Sequence, residues 1–321
     1  MKKFTVLLVG LMVVALALPA KAEVKLSGFA QAQLVNDASK TDKELYFTAK
    51  RARLVAKGDL GDKVGVFAQL ELATNLVNVL DLTMDYDLAP IGKIAIGRRT
   101  VPFGLQNPVS PYNLHTINYA QVVSNLIGTG GRDLGLYISG KYDIVDYVVG
   151  YINGSDVDVS STTNNVYLTT NAEDNSEKDI VARVGVSVPP VKGLSAGISI
   201  YSGKAKSTKV TRNRTGVDVK YDAEPIFAQL EYITGETGAL KANGYYLEVG
   251  YKVIPQLQPM IRYDFYDPDT DASNDEDTIT AIGVNVYLGK NAKVQIFSET
   301  KTEKPTDIKN DVITVQTAVK F

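Results

Sequence analysis

The sequence predicts an all-β protein, a transmembrane antiparallel β-barrel of about 16 strands with one long loop folded inward. Three observations predict it. Apolar and polar residues alternate strictly through most of the chain. The alternating segments are mostly longer than the 5–6 residues typical of soluble strands and match the ~9–11 needed to cross a bilayer at a tilt. The connections between them are alternately short and long.

Residues 1–22 stand apart from that pattern. Lys2 and Lys3 precede an apolar run from Phe4 to Leu18, and Ala20-Lys21-Ala22 follows. This is the order of a secretory signal peptide, with cleavage after Ala22. The run is short for a helix crossing ~30 Å of hydrocarbon, so residues 23–321 are read as the barrel domain. No cysteine follows the run to carry a lipid.

The sixteen predicted strands are 24–36, 44–58, 62–74, 78–88, 92–99, 132–142, 145–152, 178–189, 193–202, 213–222, 225–234, 243–252, 258–267, 277–288, 291–301 and 311–321. Val64, Val66, Ala68, Leu70 and Leu72 alternate with Gly65, Phe67, Gln69 and Glu71. Tyr245, Leu247, Val249 and Tyr251 alternate with Tyr246, Glu248 and Gly250. A period of two gives each strand one apolar and one polar face. Hydrocarbon offers backbone groups no hydrogen bonds, so a sheet that spans it must close on itself. The apolar face then meets lipid and the polar face lines a lumen. Glu71, Asp85, Arg183, Glu248, Arg262, Asp264, Lys293 and Glu299 all take the polar parity. Sixteen strands leave room for an aqueous channel. Without tryptophan, the interfacial girdles fall to tyrosines such as Tyr86, Tyr221, Tyr232, Tyr245, Tyr251 and Tyr263. Phe321 stands in register with Val319, Thr317 and Val315, an aromatic of the kind that outer-membrane insertion machinery reads.

Short turns on one side and long loops on the other are the pattern of outer-membrane barrels. Residues 100–131 and 153–177 are the longest connections. The first, with Pro102, Pro108, Pro111, Gly128, Gly130 and Gly131, reads as a compact folded loop.

Composition excludes several functions. There is no cysteine and one histidine, so thiolate metal sites, disulfides and two-His metal sites are ruled out. A net charge of −2 with few local basic blocks argues against nucleic acid as a partner. His115 has no motif supplying an orienting acid and an oxyanion hole, so catalysis is not expected. No cofactor is implied. The acidic run Asp267, Asp269, Asp271, Asp275, Glu276 and Asp277 lacks glycine at the sixth loop position and carries Thr278 at the twelfth, so a solvated tip is favoured over a calcium loop.

At this point a family resemblance enters. Arg51-Ala52-Arg53-Leu54 with Gly58-Asp59-Leu60-Gly61, Gly97-Arg98-Arg99-Thr100-Val101-Pro102-Phe103-Gly104-Leu105, and Arg132-Asp133-Leu134-Gly135 followed by Gly150-Tyr151-Ile152-Asn153-Gly154 resemble the phosphate-selective porin O/P family. Arg99 and Gln106 replace that family's usual Lys and Glu, and the resemblance covers about residues 44–155. It implies an outer-membrane homotrimer in contact with the lipid bilayer and lipopolysaccharide, whose loops enter the lumen and whose cations attract phosphate.

The candidate pore-lining and anion-attracting residues are Arg51, Arg53, Arg98, Arg99, Arg132, Lys204, Lys206, Lys209, Arg212 and Arg214. Arg51 and Arg53 share a face with Lys57. Arg98, Arg99 and Arg132 flank the long loop, although Arg98 has lipid-side parity. The last five lie in Gly203–Thr215, a stretch without acids, read as a long loop running into the next strand. In a narrow mouth such a cluster concentrates anions. For each group the alternative is pairing with lumen acids, or with lipopolysaccharide phosphates for the last. The expected function is passive diffusion of small hydrophilic solutes through a charged constriction. A plugged structural or adhesive barrel is the alternative.

Overall fold

The computed structural model describes residues 23–41, 44–61, 63–74, 77–128, 130–154, 177–204 and 210–321. The signal-peptide reading of residues 1–22 lies outside them, as do Lys206 and Lys209.

Sixteen strands form one closed antiparallel barrel in which every strand pairs with its sequence neighbours and the first with the last. They are β1 (Glu23–Asp37), β2 (Leu45–Asp59), β3 (Val64–Glu71), β4 (Asn78–Asp87), β5 (Lys93–Thr100), β6 (Arg132–Tyr142), β7 (Val145–Ile152), β8 (Asp179–Ser187), β9 (Leu194–Lys204), β10 (Thr211–Ala223), β11 (Ile226–Thr237), β12 (Leu240–Tyr251), β13 (Leu257–Asp267), β14 (Asp277–Tyr287), β15 (Ala292–Glu303) and β16 (Val312–Lys320). All sixteen sequence segments are strands.

The two faces divide as the alternation requires. Ile198, Ile200, Leu247, Val249, Ile261 and Tyr263 are exposed on the outside. Their alternates, including Ser199, Glu248, Arg262 and Asp264, are buried on the inside. Closure leaves no free edge.

Two bulges alter the alternation locally. Between β1 and β2 the register shifts at Gln31/Ala32, so Lys50 and Arg51 together oppose Gln31. Between β3 and β4 it shifts at Gln69/Leu70, leaving Leu80 as the extra residue. A bulge kinks its strand and re-aims side chains.

Three readings of the connections are corrected. β11 and β12 run on to a two-residue turn at Gly238 and Ala239, with Thr237 paired to Leu240. Glu236 pairs with Lys241 there, in a stretch too rich in glycine and polar residues to show the alternation. Arg212 is not in a loop but on β10, in register with Gly203 of β9; Arg214, expected on that strand, pairs with Tyr201. The 101–131 segment contains a helix that shows no sustained helical period in the sequence, α1 (Gln121–Leu126), with Val122, Val123 and Leu126 buried. It has no side-chain N-cap and spans under two turns, so packing rather than propensity stabilises it.

That segment sits inside the barrel. Val101, Phe103, Leu114, Tyr119, Ala120, Val122, Val123, Leu126 and Ile127 form one buried cluster with the inward-facing Tyr137, Ile152, Val181, Tyr201, Ile233, Ala242 and Tyr246. Burying an apolar side chain is worth about 1.5–3 kcal/mol, so this cluster is the main attachment of the loop to the wall.

Candidate functional site

Polar contacts fix the loop's path around the wall. At its start, the Gly104 N–H donates to Ser199 Oγ at 2.9 Å, and the Leu105 and Gln106 N–H groups donate to the Glu231 carboxylate at 3.0 and 3.2 Å. Gly104 has φ +69°, and a Cβ there would collide with that carboxylate. Further along, Arg262 donates to Thr116 Oγ1 and, at 2.5 Å, to the Asn118 carbonyl, while Asn118 Nδ2 donates to both Glu299 oxygens at 3.1 Å. Lys293 donates to the Leu114 carbonyl at 2.7 Å and Asn285 to the His115 carbonyl at 2.9 Å. Gln31 reaches the Pro111 carbonyl at 3.2 Å. At the helix, Arg214 Nε donates to the Leu126 carbonyl at 3.1 Å.

The wall behind residues 111–116 carries a chain of amides. Gln33 donates to Gln316 at 2.7 Å, Gln316 to Gln295 at 2.8 Å and Gln295 to Asn285 at 2.8 Å, each across one strand pair. These groups are 6 % exposed or less. Buried amides are tolerable when paired in this way.

His115 stacks on Phe227 with ring centroids 3.7 Å apart. Burial holds its imidazole below the usual value, partly offset by the Glu248 charge. Tyr119 donates its hydroxyl to the Val109 carbonyl at 2.6 Å, and burial pushes its phenol up, so it stays protonated.

Charges gather on the part of the wall formed by β2, β3, β4 and the start of β6. Arg53 pairs with Glu71 at 2.9 Å and lies over the Phe29 ring. Arg132 pairs with Asp81 at 3.1 Å and also holds Gln69 and the loop carbonyl of Gly130. Arg51 donates to Gln31 at 3.2 Å. Lys50, turned by the bulge, feels the charges of Arg51 and the inward-facing Glu299. Arg51, Arg53 and Arg132 all act electrostatically on the Tyr119 phenol. Lys50 and Arg51 have no ion-pair partner among the described residues. Arg99 lies over the Tyr137 ring at 5.2 Å.

The ten sequence candidates therefore separate. Arg51, Arg53 and Arg132 come together, with Arg99 further round the wall. Arg98 is corrected: it has lipid-side parity opposite Leu82, is 6 % exposed, and its Nη1 donates to the Val79 and Leu80 carbonyls at 2.6 and 3.0 Å, at the β4 bulge. Arg212 is corrected: it is 2 % exposed, paired at 3.0 Å with the buried Asp179, and bonded to Tyr201 and the Gly154 carbonyl. Arg214 is corrected too, being buried and bound to Leu126, Glu236 and Thr237. Lys204 pairs with Glu177. The 203–215 stretch lacks acids in sequence, but β8 and the residues just before it supply them. Lys50 was missed, because only the bulge turns it toward the lumen.

The loop itself carries no charge. Residues 101–130 contain no Asp, Glu, Lys or Arg. The basic wall thus faces a neutral surface.

A family model described as Gram-negative porin matches residues 9–304. The chain belongs to the Gram-negative porin family. Solved porins share its fold. An anion-selective porin from Comamonas acidovorans superposes with TM-score 0.70 at 15 % identity, covering 94 % of this chain and 99 % of that one. OmpF of Salmonella typhi, in complex with daunomycin, gives TM-score 0.69 at 14 % identity, covering 93 % and 97 %. The trimer form of OmpT of Vibrio cholerae gives 0.63 at 13 %, covering 94 % and 99 %. No curated protein matches in sequence. The protein is thus a porin of the outer membrane, a channel for diffusion rather than an enzyme. The resemblance to the O/P family is supported at this broader level.

Proposed function

We propose that the porin favours small anions, phosphate among them. The observation that carries this is the pairing of a basic wall with an uncharged loop. Lys50, Arg51, Arg53 and Arg132 outnumber Glu71 and Asp81 there, and no loop carboxylate opposes them. An ion between the two surfaces meets a net positive potential in a narrow, low-dielectric passage, which raises the local anion concentration. The anion selectivity of the Comamonas porin agrees with this reading without carrying it. The test is the zero-current potential across a planar bilayer in a KCl gradient. A potential of the sign set by chloride, shrinking as salt rises, is expected. A potential of the sign set by potassium would refute the reading. Inorganic phosphate added to the chloride solution should reduce the chloride current if it competes for the same wall.

The proposal extends to assembly. The outward face of β1–β3 pairs alanine with alanine: Ala30 with Ala52, Ala32 with Ala49, and Ala56 with Ala68. Larger side chains, such as Leu26, Leu45 and Phe47, stand on the same strands above and below these alanines, and β9–β13 show Ile, Leu, Val and Tyr to lipid. Small residues let backbones approach closely within a bilayer, so β1–β3 is the face by which a homotrimer assembles. Cross-linking of intact outer membranes tests this. Residues 1–22 are proposed to be removed on export, read by N-terminal sequencing of the purified protein. The cations from Lys204 to Lys209 suit lipopolysaccharide phosphates.

A further inference from the structure

We infer that the loop sets the charge preference of this pore by covering an acidic wall, not by any charge of its own. The inference deepens the anion reading, on which it rests for its direction.

Four inward-facing carboxylates lie on the wall against which the loop is packed: Glu231 on β11, Glu248 on β12, Asp264 on β13 and Glu299 on β15. They are 1, 0, 0 and 7 % exposed. Two inward-facing cations, Arg262 and Lys293, stand among them, at 1 and 5 %. Four acidic groups thus stand against two basic ones. On β2–β4 and the start of β6, Lys50, Arg51, Arg53 and Arg132 stand against Glu71 and Asp81, four basic groups to two acidic ones. The barrel is therefore polarised, and its negative side is the side that solutes do not touch.

The cover is made of neutral groups matched to what they cover. Acids receive donors: the Leu105 and Gln106 N–H groups on Glu231, and the Asn118 amide on Glu299. Cations receive acceptors: the Leu114 carbonyl on Lys293, and Thr116 and the Asn118 carbonyl on Arg262. Arg262 in turn pairs with Asp264 at 3.1 Å. Glu248 lies near enough to influence His115. Two carboxylate oxygens, Glu248 Oε1 and Asp264 Oδ1, are buried with no hydrogen-bond partner. Such oxygens gain solvation when uncovered, so the acidic wall is held out of water only while the loop is in place.

A layer of neutral protein lies between these carboxylates and a passing cation. On the other wall Lys50 is exposed and Arg51 half-buried, while Arg53 and Arg132 are 10 and 11 % exposed. Without the loop, both walls act on the passing ion.

Deleting residues 108–126, with Asn107 joined to Ile127 by a short glycine-serine linker, tests this cleanly because the removed residues include no Asp, Glu, Lys or Arg. The deletion should reduce the chloride preference. A wider pore alone would do the same, so the three carboxylates decide between the two causes. Adding Glu248→Gln, Asp264→Asn and Glu299→Gln to the deletion should restore a chloride preference at low salt. The same three substitutions in the full-length channel should change the permeability ratio less than they do in the deleted one. A deleted channel, folded as judged by heat-modifiable migration, that keeps its full chloride preference, or that the three substitutions leave unchanged, overturns the inference. If the deleted chain does not fold, Thr116→Gly with Asn118→Gly removes the loop side chains that touch Arg262 and Glu299, and a smaller loss of chloride preference is required of it. A full-length channel that prefers potassium refutes the anion reading, whereas the inference is judged on the change that deletion produces.

Discussion

Gly28 and Phe321 exchange both of their backbone hydrogen bonds, N–H to carbonyl in each direction at 3.0 Å. The Phe321 ring lies over the glycine, where an added Cβ would stand 2.7 Å from Cζ and closer still to the Arg53 carbonyl. This pair extends the β1–β16 ladder past Lys320 and fastens the seam of the barrel.

Gly28→Val should therefore loosen that seam. Overpacking a filled site costs about 1–3 kcal/mol, and here both the ring and a neighbouring strand must yield. The temperature at which the detergent-resistant form converts to the unfolded one should fall. Phe321→Ala with Gly28→Ala should recover part of the loss attributable to the ring. A thermal midpoint in Gly28→Val equal to that of the parent would contradict the packing seen here.

Arg98 makes a different kind of closure. Its guanidinium takes the Val79 and Leu80 carbonyls at the β4 bulge. A buried backbone acceptor left unpaired costs about 1–3 kcal/mol. Arg98→Ala should lower the unfolding midpoint in denaturant and leave the permeability ratio unchanged. A changed ratio with unchanged stability would return Arg98 to the pore.

The strands were legible because two solvents write on them. Lipid outside and water or loop inside impose a period of two wherever the chain crosses, as from Ile313 to Val319. The site was legible only in part. Arg51 and Arg53 carry the right parity, but Lys50 faces the lumen through a bulge that no local pattern announces. Arg212 looked unpaired because Asp179 lies 33 positions earlier, on a strand the barrel places next door but one. The loop's anchors are more remote still: Asn118 and Glu299 are 181 positions apart. Such contacts follow from barrel closure rather than from spacing. The helix α1 was missed because packing against β11–β13 holds it, without a cap or a second full turn.

Arg51 and Arg212 should then behave as opposites, though both were read as anion-attracting. Arg212→Gln breaks a buried pair with Asp179, a change of about 3–5 kcal/mol when one charge is left behind. Its thermal midpoint should drop while the permeability ratio stays. Arg51→Gln removes a cation without an ion-pair partner and should change stability by no more than ~0.5 kcal/mol. Its chloride preference should weaken, most at low salt. Bilayer recording and thermal melts on both variants decide the matter, and a reversed pattern would exchange their roles.

His115 should make the loop's hold on the wall sensitive to acid. The ring is buried on Phe227 of β11 and beside Gln258 of β13, with Glu248 of β12, Lys293 of β15 and Asp222 of β10 as the charges acting on it. Burial keeps its pKa below the ordinary 6.5. A loop lifted off the wall would return the imidazole to that ordinary value and bind a proton more readily. Between the lowered value and 6.5, the lifted state therefore binds more protons than the docked state. Docking is undiminished above 6.5 and weakens progressively as pH falls below it. The expected result is a rise in current noise and brief conductance steps as pH is taken from 8 toward about 5. His115→Gln keeps a polar group near Gln258 but cannot titrate, so its noise should stay flat over that range. An identical pH profile in parent and His115→Gln would show that the imidazole plays no part in holding the loop.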